Sequence, residues 1–338
     1  MKKTLLVDGD NLFKIGFYGV REFFHNGQHI GGVFHFTNTL RKEIEQNNYD
    51  KVIVFWDGNE NSLSRRKLYP KYKLNRRSDM TDEKYDSYQK QKVRVKQYLE
   101  EMFVRQIEVD QNESDDLIAY YCQISENEHK TIYSSDRDYI QLISDTVTVY
   151  SHSSKSYTKK GDKVKIFEYE IPHQNIRTYK VLSGDKSDNI DGIYLLGEKT
   201  LVKLFPEILE NEVSISDILK KAEMLFESDK ENKVIQNLLT GKTKEGIFGQ
   251  EFFEINYKIV NLSEPLITEE AKEYVESHYS ESLDPEGRGH KNLIRMMMDD
   301  GFFKFLPKTD DAWVNFIKPF LKLTRKEKSN YKSKKQKK

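Results

Sequence analysis

The sequence predicts an α/β fold: a parallel sheet flanked by helices, followed by a mostly helical second domain. Three observations predict it. Short apolar, β-branched runs alternate with helix-period segments through the first half of the chain. Strand signals fade beyond about Asp162, and helical patterns dominate from Gln174 to Leu323. With 338 residues, 37% hydrophobic and 12% aromatic, the chain can bury a large core in about two domains.

The predicted strands run in order through "TLLV" (Thr4 to Val7), "KVIVFW" (Lys51 to Trp56), "QIEV" (Gln106 to Val109) and "KTIYS" (Lys130 to Ser134). The first ends in Asp8 and the second in Asp57; the third leads to Glu113, Asp115 and Asp116, and the fourth to Asp136 and Asp138 in "SDRD". In open α/β sheets the ligand crevice lies outside the carboxyl ends of the strands, so these groups should converge on one edge. Between the second and third strands lies a basic insertion. "RRKLYPKYKLNRR" (Arg65 to Arg77) carries seven Lys/Arg interleaved with Tyr69 and Tyr72, and a polar helix capped by Thr81 follows it to Phe103. A solvated crossover accounts for most of these charges, but cations interleaved with rings are also what a nucleic-acid strand requires.

These boundaries divide the chain into a first domain over 1–168 with its basic insertion at 60–105, a helical domain over 169–324, and a disordered basic tail over 325–338. The tail, with eight Lys/Arg against one Glu, serves solubility or weak non-specific affinity for DNA or RNA. "GFFKFLP" (Gly301 to Pro307) reads as core packing, with an exposed docking site as the alternative.

Charge and cysteine content narrow the classes. The 55 Lys+Arg cancel 55 Asp+Glu, so net charge does not point to a nucleic-acid partner, and local clusters matter more than the sum. Cys122 alone excludes an internal disulfide framework and a cysteine-rich zinc site. The opening apolar run is cut by Asp8 and no long apolar stretch follows, so a cytoplasmic chain without export or membrane signal is expected.

Taken alone, "ESDD" (Glu113 to Asp116) is a helix start, where acidic groups complement the positive end of the dipole. Three further acidic strand ends and the pair Asp185 and Asp188 in "GDKSDNIDG" change that reading. If all nine carboxylates meet, like charges ~4 Å apart repel by about 4 kcal/mol at an effective dielectric near 20, so either several are protonated or metal is bound. The ligand set is oxygen only, which selects Mg²⁺ or Mn²⁺. Nine groups exceed the needs of one ion, and paired ions ~3.5–4 Å apart suit phosphodiester hydrolysis, one activating water and the other steadying the leaving oxygen.

The ordered set "VDGDN", "FWDG", "YKLNR", "ESDD", "SSDRD", "GDKSDNIDG" and "GEKT" resembles the structure-specific 5′-nuclease family: flap endonucleases, 5′-exonuclease domains of bacterial DNA polymerases, and phage 5′→3′ exonucleases called RNase H. The resemblance covers roughly residues 1–205 and implies a PIN-like α/β domain with a helical-arch insertion, then a helical DNA-binding domain opening with a helix-three-turn-helix. It implies that Asp8, Asp57, Glu113, Asp115 and Asp136 gather the catalytic ions, that Asp138 and Asp185 complete the second ion's shell, and that Asp116 and Asp188 act through water. Lys73 and Arg76 would contact the scissile phosphate at the foot of the arch, and Tyr72 would stack near the reacting nucleotide. Arg65, Arg66, Lys71 and Arg77 would contact phosphates along the insertion, and Gly197 with Lys199 at the hairpin of the second domain.

The family hairpin often holds K⁺. Here Leu195 stands where a first glycine is usual, and only Gly197 remains before the lysine. Asp10 replaces a small or hydroxyl residue and is read as a helix cap ahead of an outer-shell group; Ser135 replaces a glycine. The implied activity is 5′→3′ exonuclease and flap endonuclease action on DNA and RNA/DNA hybrids, for instance RNA-primer removal, by a monomer that meets a replication protein such as a single-strand-binding protein. Three alternatives stand beside it. The D-x-D of "LLVDGDN" also suits a haloacid-dehalogenase-type phosphohydrolase, with Asp8 as nucleophile and Asp10 as general acid. A non-catalytic nucleic-acid-binding relative is the second, and a PIN-type ribonuclease, the third, would differ in preferring RNA.

Overall fold

The computed structural model describes residues 1–19, 23–76, 80–281 and 283–335. Its main sheet has six strands in the order β5-β4-β1-β6-β7-β8: β1 (Lys2–Asp8), β4 (Lys51–Asp57), β5 (Arg105–Val109), β6 (Glu128–Tyr133), β7 (Val147–Ser151) and β8 (Ser156–Thr158). All pairings are parallel except that of β7 with β8. Two ribbons stand apart, β2 (Phe24–His25) with β3 (Gln28–His29), and β9 (Lys163–Ile166) with β10 (Tyr169–Pro172). The four strands expected from sequence are β1, β4, β5 and β6; β7 was missed although Val147 and Val149 are buried, and β8 to β10 are short, with at most two buried apolar residues each.

Both faces of the sheet are covered, as a parallel sheet requires. Leu5, Val7, Val54 and Trp56 point into one core with Phe13 of α1 (Gly9–Gly19) and Phe36 of α2 (Gly31–Asn47). Leu6, Ile53, Phe55, Ile107 and Ile132 point into the other with Leu117 and Ile118 of α5 (Ser114–Ile124). Successive residues of a strand thus alternate between cores, which is why these strands read as continuous apolar runs. The chain moves from β1 to β4 on one side and from β6 to β7 on the other, so the topological switch point lies between β1 and β6, beside Asp8 and Asp136.

The basic insertion begins with α3 (Leu63–Leu68) and ends with α4 (Asp82–Glu101), whose cap accepts the Lys84 N–H on the Thr81 hydroxyl as expected. α4 is less solvated than its composition suggested. Tyr88, Val95, Tyr98 and Leu99 are buried in the first core, so one stripe of the helix is part of the domain wall.

The helical half comprises α6 (Asn175–Ser183), α7 (Glu198–Leu204), α8 (Ile215–Ser228), α9 (Lys233–Leu239), α10 (Gln250–Val260), α11 (Glu269–Ser280), α12 (His290–Asp299) and α13 (Ala312–Lys335). It is not one packing unit over 169–324. Residues between Val181 and Val260, joined by Tyr72 of the insertion, build a third core, but Ala271 and Val275 join one sheet core and Leu293, Phe302, Phe316 and Phe320 the other. Periodicity announces a helix without saying which face of the sheet still needs cover. "GFFKFLP" accordingly packs inward through Phe302, fully buried, while Phe303 stays outside.

The tail also differs from the expected disorder, because α13 continues through Arg325 and beyond. Glu327 is buried against Arg105 at 2.9 Å, and Lys326 pairs with Asp50 at 2.6 Å. Composition hid this, since a single acidic residue aimed at a buried arginine outweighs the surrounding lysines. Truncation before Arg325 is expected to cost about 3 kcal/mol by leaving Arg105 unpaired; an unchanged urea midpoint in the truncated protein would contradict it.

Candidate active site

The predicted acidic residues do converge on the carboxyl edge of the sheet. Glu113, Asp115 and Asp116 bring oxygens within 4.8 Å of one another, and so do Asp138, Asp185 and Asp188. Asp8 ends β1, with its carboxylate accepting the Asn11 N–H at 3.0 Å and the hydroxyls of Ser134 at 3.0 Å and Tyr139 at 3.2 Å. Asp57 ends β4 and accepts the Ser114 N–H at 2.9 Å. Asp136 caps its short helical turn by accepting the Asp138 N–H at 3.0 Å.

These groups fall into two electrostatic classes. Several are neutralised internally, an option the sequence reading had not weighed. Glu113 pairs with Arg65 at 2.6 Å and Lys73 at 2.5 Å; burial opposes its charge, but the two cations hold it below the usual carboxylate range. Asp188 pairs with Arg76, and Lys180 of α6 bridges Asp138 and, at 2.8 Å, Asp185. Asp8, Asp57, Asp115 and Asp136 have no ion-pair partner among the described residues. Burial, reinforced by Asp57, Asp136 and Asp10, pushes Asp8 up to about 7. Burial also raises Asp57, with Asp10 adding to it, and raises Asp115 against the pull of Arg65. Carboxylates gathered without an ion-pair partner, from buried Asp8 through half-buried Asp57 and Asp115 to exposed Asp136, with oxygen as the only donor, fit a hard divalent ion.

Three expected roles are corrected by this geometry. Arg65 is 3% exposed, pairs with Asp116 and Glu113, and donates to the Ile259 carbonyl at 3.0 Å, so it is an internal clamp and not a phosphate contact. Asp116 spends its carboxylate on Arg65 and on the Leu266 N–H at 3.0 Å, which supports an anchoring role in place of the expected water-mediated one. Tyr72 is buried in the third core, donating its hydroxyl to Glu113 at 2.9 Å and Asp188 at 3.2 Å; its ring offers no face to a nucleotide. An Arg/Tyr-rich stretch signals phosphate and base contacts only if it is exposed, and exposure is a tertiary property.

The rest of "YKLNR" lies across the mouth of the site. The Lys73 N–H donates to the Asp188 carbonyl at 2.9 Å, and Asn75 and Arg76 donate to the Lys186 and Ser187 carbonyls at 3.0 and 3.3 Å. Arg66 is exposed, and Lys71, also exposed, reaches Glu245. Arg77 lies outside the described residues. At the hairpin, Leu195 takes the left-handed backbone (φ 67°) that usually needs glycine, so the expected path survives the substitution. Gly197 is the exposed cap of α7, and Lys199 stands 3.3 Å from Glu168 on the surface.

Asp10 is neither cap nor free acid. One oxygen accepts the Asp57 N–H at 2.9 Å and the other pairs with Lys92 of α4 at 2.6 Å, which ties α4 to the strand end. That commitment weighs against the phosphohydrolase alternative, which needs Asp10 free to give up a proton. Sequence reasoning missed Lys180, Lys92 and Asn11, whose side chain accepts the Ser135 N–H at 3.1 Å. The sole signal for Lys180 was a lysine in the last turn before "GDKSDN".

Comparison with known proteins agrees with this architecture. Residues 3–169 match the model of the 5′-3′ exonuclease N-terminal resolvase-like domain. A 5′-3′ exonuclease of Halalkalibacterium halodurans is 32% identical over 217 residues, 60% of this chain and 69% of that protein. A thermostable DNA polymerase I of Thermus filiformis is 30% identical over 208 residues, 61% of this chain but 24% of the polymerase, so the chain spans about a quarter of such relatives. A T5 5′-exonuclease structure with bound zinc superposes with a TM-score of 0.61 at 17% identity, covering 95% of this chain and 99% of that one, which speaks for the fold. No helix among the described residues is long and apolar enough to cross a membrane. With its acidic edge, its covered parallel sheet and a relative matched over most of its length, the chain belongs to the 5′-3′ exonuclease family.

Proposed function

We propose that this chain is a divalent-metal-dependent 5′→3′ exonuclease and 5′-flap endonuclease that hydrolyses phosphodiesters of DNA and RNA/DNA hybrids, and that it removes RNA primers during replication. The observation that carries this reading is the group Asp8, Asp57, Asp115 and Asp136, carboxylates without an internal cation, beside cation-bearing "YKLNR". Asp8, Asp57, Glu113, Asp115 and Asp136 would gather the Mg²⁺ or Mn²⁺ pair, with Asp138 and Asp185 completing the second ion's shell and Asp188 acting on it through water. Bound there, the ions would supply an activated water and stabilise charge on the leaving oxygen. Lys73 and Arg76 now rest on Glu113 and Asp188, and both can exchange these partners for a substrate phosphate. Arg66, Lys71 and Lys199 add sequence-independent phosphate contacts, making binding steeply salt-dependent. The left-handed turn at Leu195 supports a K⁺ ion at the hairpin. The protein works as a cytoplasmic monomer and meets a single-strand-binding protein on its substrate.

The test is cleavage of 5′-labelled flap and RNA/DNA hybrid substrates with Mg²⁺. The parent is expected to cut both, and Asp115→Ala neither. An intact flap with the parent, or equal cutting by the variant, would overturn the reading.

A further inference from the structure

The two acidic groups differ in one respect that the nuclease reading alone does not explain. Of the first ion's ligands only Glu113 is paired, while Asp8, Asp57, Asp115 and Asp136, gathered around Tyr139, have no ion-pair partner among the described residues; in the second group Asp138, Asp185 and Asp188 all hold a cation already. The Lys180 ammonium contacts Asp138 and lies 2.8 Å from Asp185, with its side chain only 13% exposed. The same lysine lines a cleft of about 510 Å³ with Asp136, Ser183, Asp185, Ser187 and Glu198, and with the cations Arg137 and Lys186 on its wall.

We infer that Lys180 is the resident counter-cation of the second ion site: it holds Asp138 and Asp185 until a divalent ion takes their oxygens and the amine turns into the adjoining cleft. This rests on the nuclease reading for the identity of the ligands. An ammonium and a divalent ion need the same carboxylate lone pairs and repel each other at this range, so one must leave. The flexible lysine stem lets the amine swing, and the cleft supplies hydroxyl and carboxylate acceptors in the metal-free protein. A substrate phosphate entering the cleft would be a stronger acceptor, so substrate binding and uptake of the second ion should favour each other reciprocally. Lys180 is thus a positioning residue that makes the second ion conditional on substrate.

The test is Mn²⁺ calorimetry on the DNA-free full chain. The parent should take up one ion tightly and a second at least about tenfold more weakly. Lys180→Met should tighten the second ion about tenfold or more and leave the first nearly unchanged, while Lys180→Arg should behave as the parent. Lys180→Gln provides a second neutral variant should the methionine protein fail to fold. Two equal sites in the parent, or an unaltered second site in the neutral variants, would overturn the inference. Flap cleavage by a parent whose variants bind Mn²⁺ as it does would leave the nuclease reading standing and remove this inference alone. A parent that takes up no Mn²⁺ would remove both.

Discussion

Replacing Arg65 by methionine is expected to destabilise the protein by about 3–5 kcal/mol, because it strands Asp116 and part of Glu113 as buried charges. The arginine is 3% exposed and joins three parts of the chain: α3 that carries it, the start of α5, and the Ile259 carbonyl at the end of α10. Its charge is secure, for although burial opposes it, Asp116, Asp115 and Glu113 hold its pKa well above the ordinary value. Pairing Arg65→Met with Asp116→Leu should recover much of the loss, since an apolar pair of similar volume often replaces a buried ion pair at little cost. Urea unfolding at neutral pH measures both. A surface phosphate contact would behave in the opposite way, with weaker DNA binding and an unmoved unfolding midpoint, and that result would restore the role expected from sequence.

Asp8→Asn should move stability and activity in opposite directions. In the metal-free protein the Asp8 pKa is about 7, against 3.8 for a free aspartate, with burial as the main cause. The folded state therefore holds this proton more tightly than the unfolded state, so stability declines as pH rises from about 4 to 7 and is level above that. Asparagine removes the charge and the decline. At pH 8 in a chelator the variant should be more stable than the parent by about 1–4 kcal/mol, with the difference vanishing below pH 4. With Mg²⁺ present, the same substitution should lower flap cleavage by roughly a thousandfold, the worth of several kcal/mol of transition-state stabilisation. A variant no more stable than the parent at pH 8 would show that Asp8 is not held as a strained, unpaired carboxylate. Unimpaired cleavage would remove it from the ligand set.

The same contrast marks how far the sequence could be read. Strand ends bearing acidic residues were visible because β1, β4, β5 and β6 are buried on both faces and so appear as unbroken apolar runs. Parallel connections then force their carboxyl ends to one edge, so the meeting of Asp8, Asp57, Asp115 and Asp136 followed from pattern and topology alone. The split of the helical half was not visible, nor was the ordered continuation through Glu327, because an amphipathic stripe states that a partner exists without naming it. Arg65 and Tyr72 were misplaced for a related reason: their types announce charge and aromaticity, and only packing sets whether water or Glu113 receives them.

By itself, then, the sequence determined the parallel sheet, the acidic edge and the kind of ion that edge suits, since these rest on local periodicity and on the side-chain chemistry at strand ends. The tertiary structure alone decided which carboxylates already have a cation. Arg65, Lys73, Arg76 and Lys180 reach Glu113, Asp116, Asp188, Asp138 and Asp185 mostly from distant points in the chain, and charge compensation depends on distances in space that no spacing in sequence encodes.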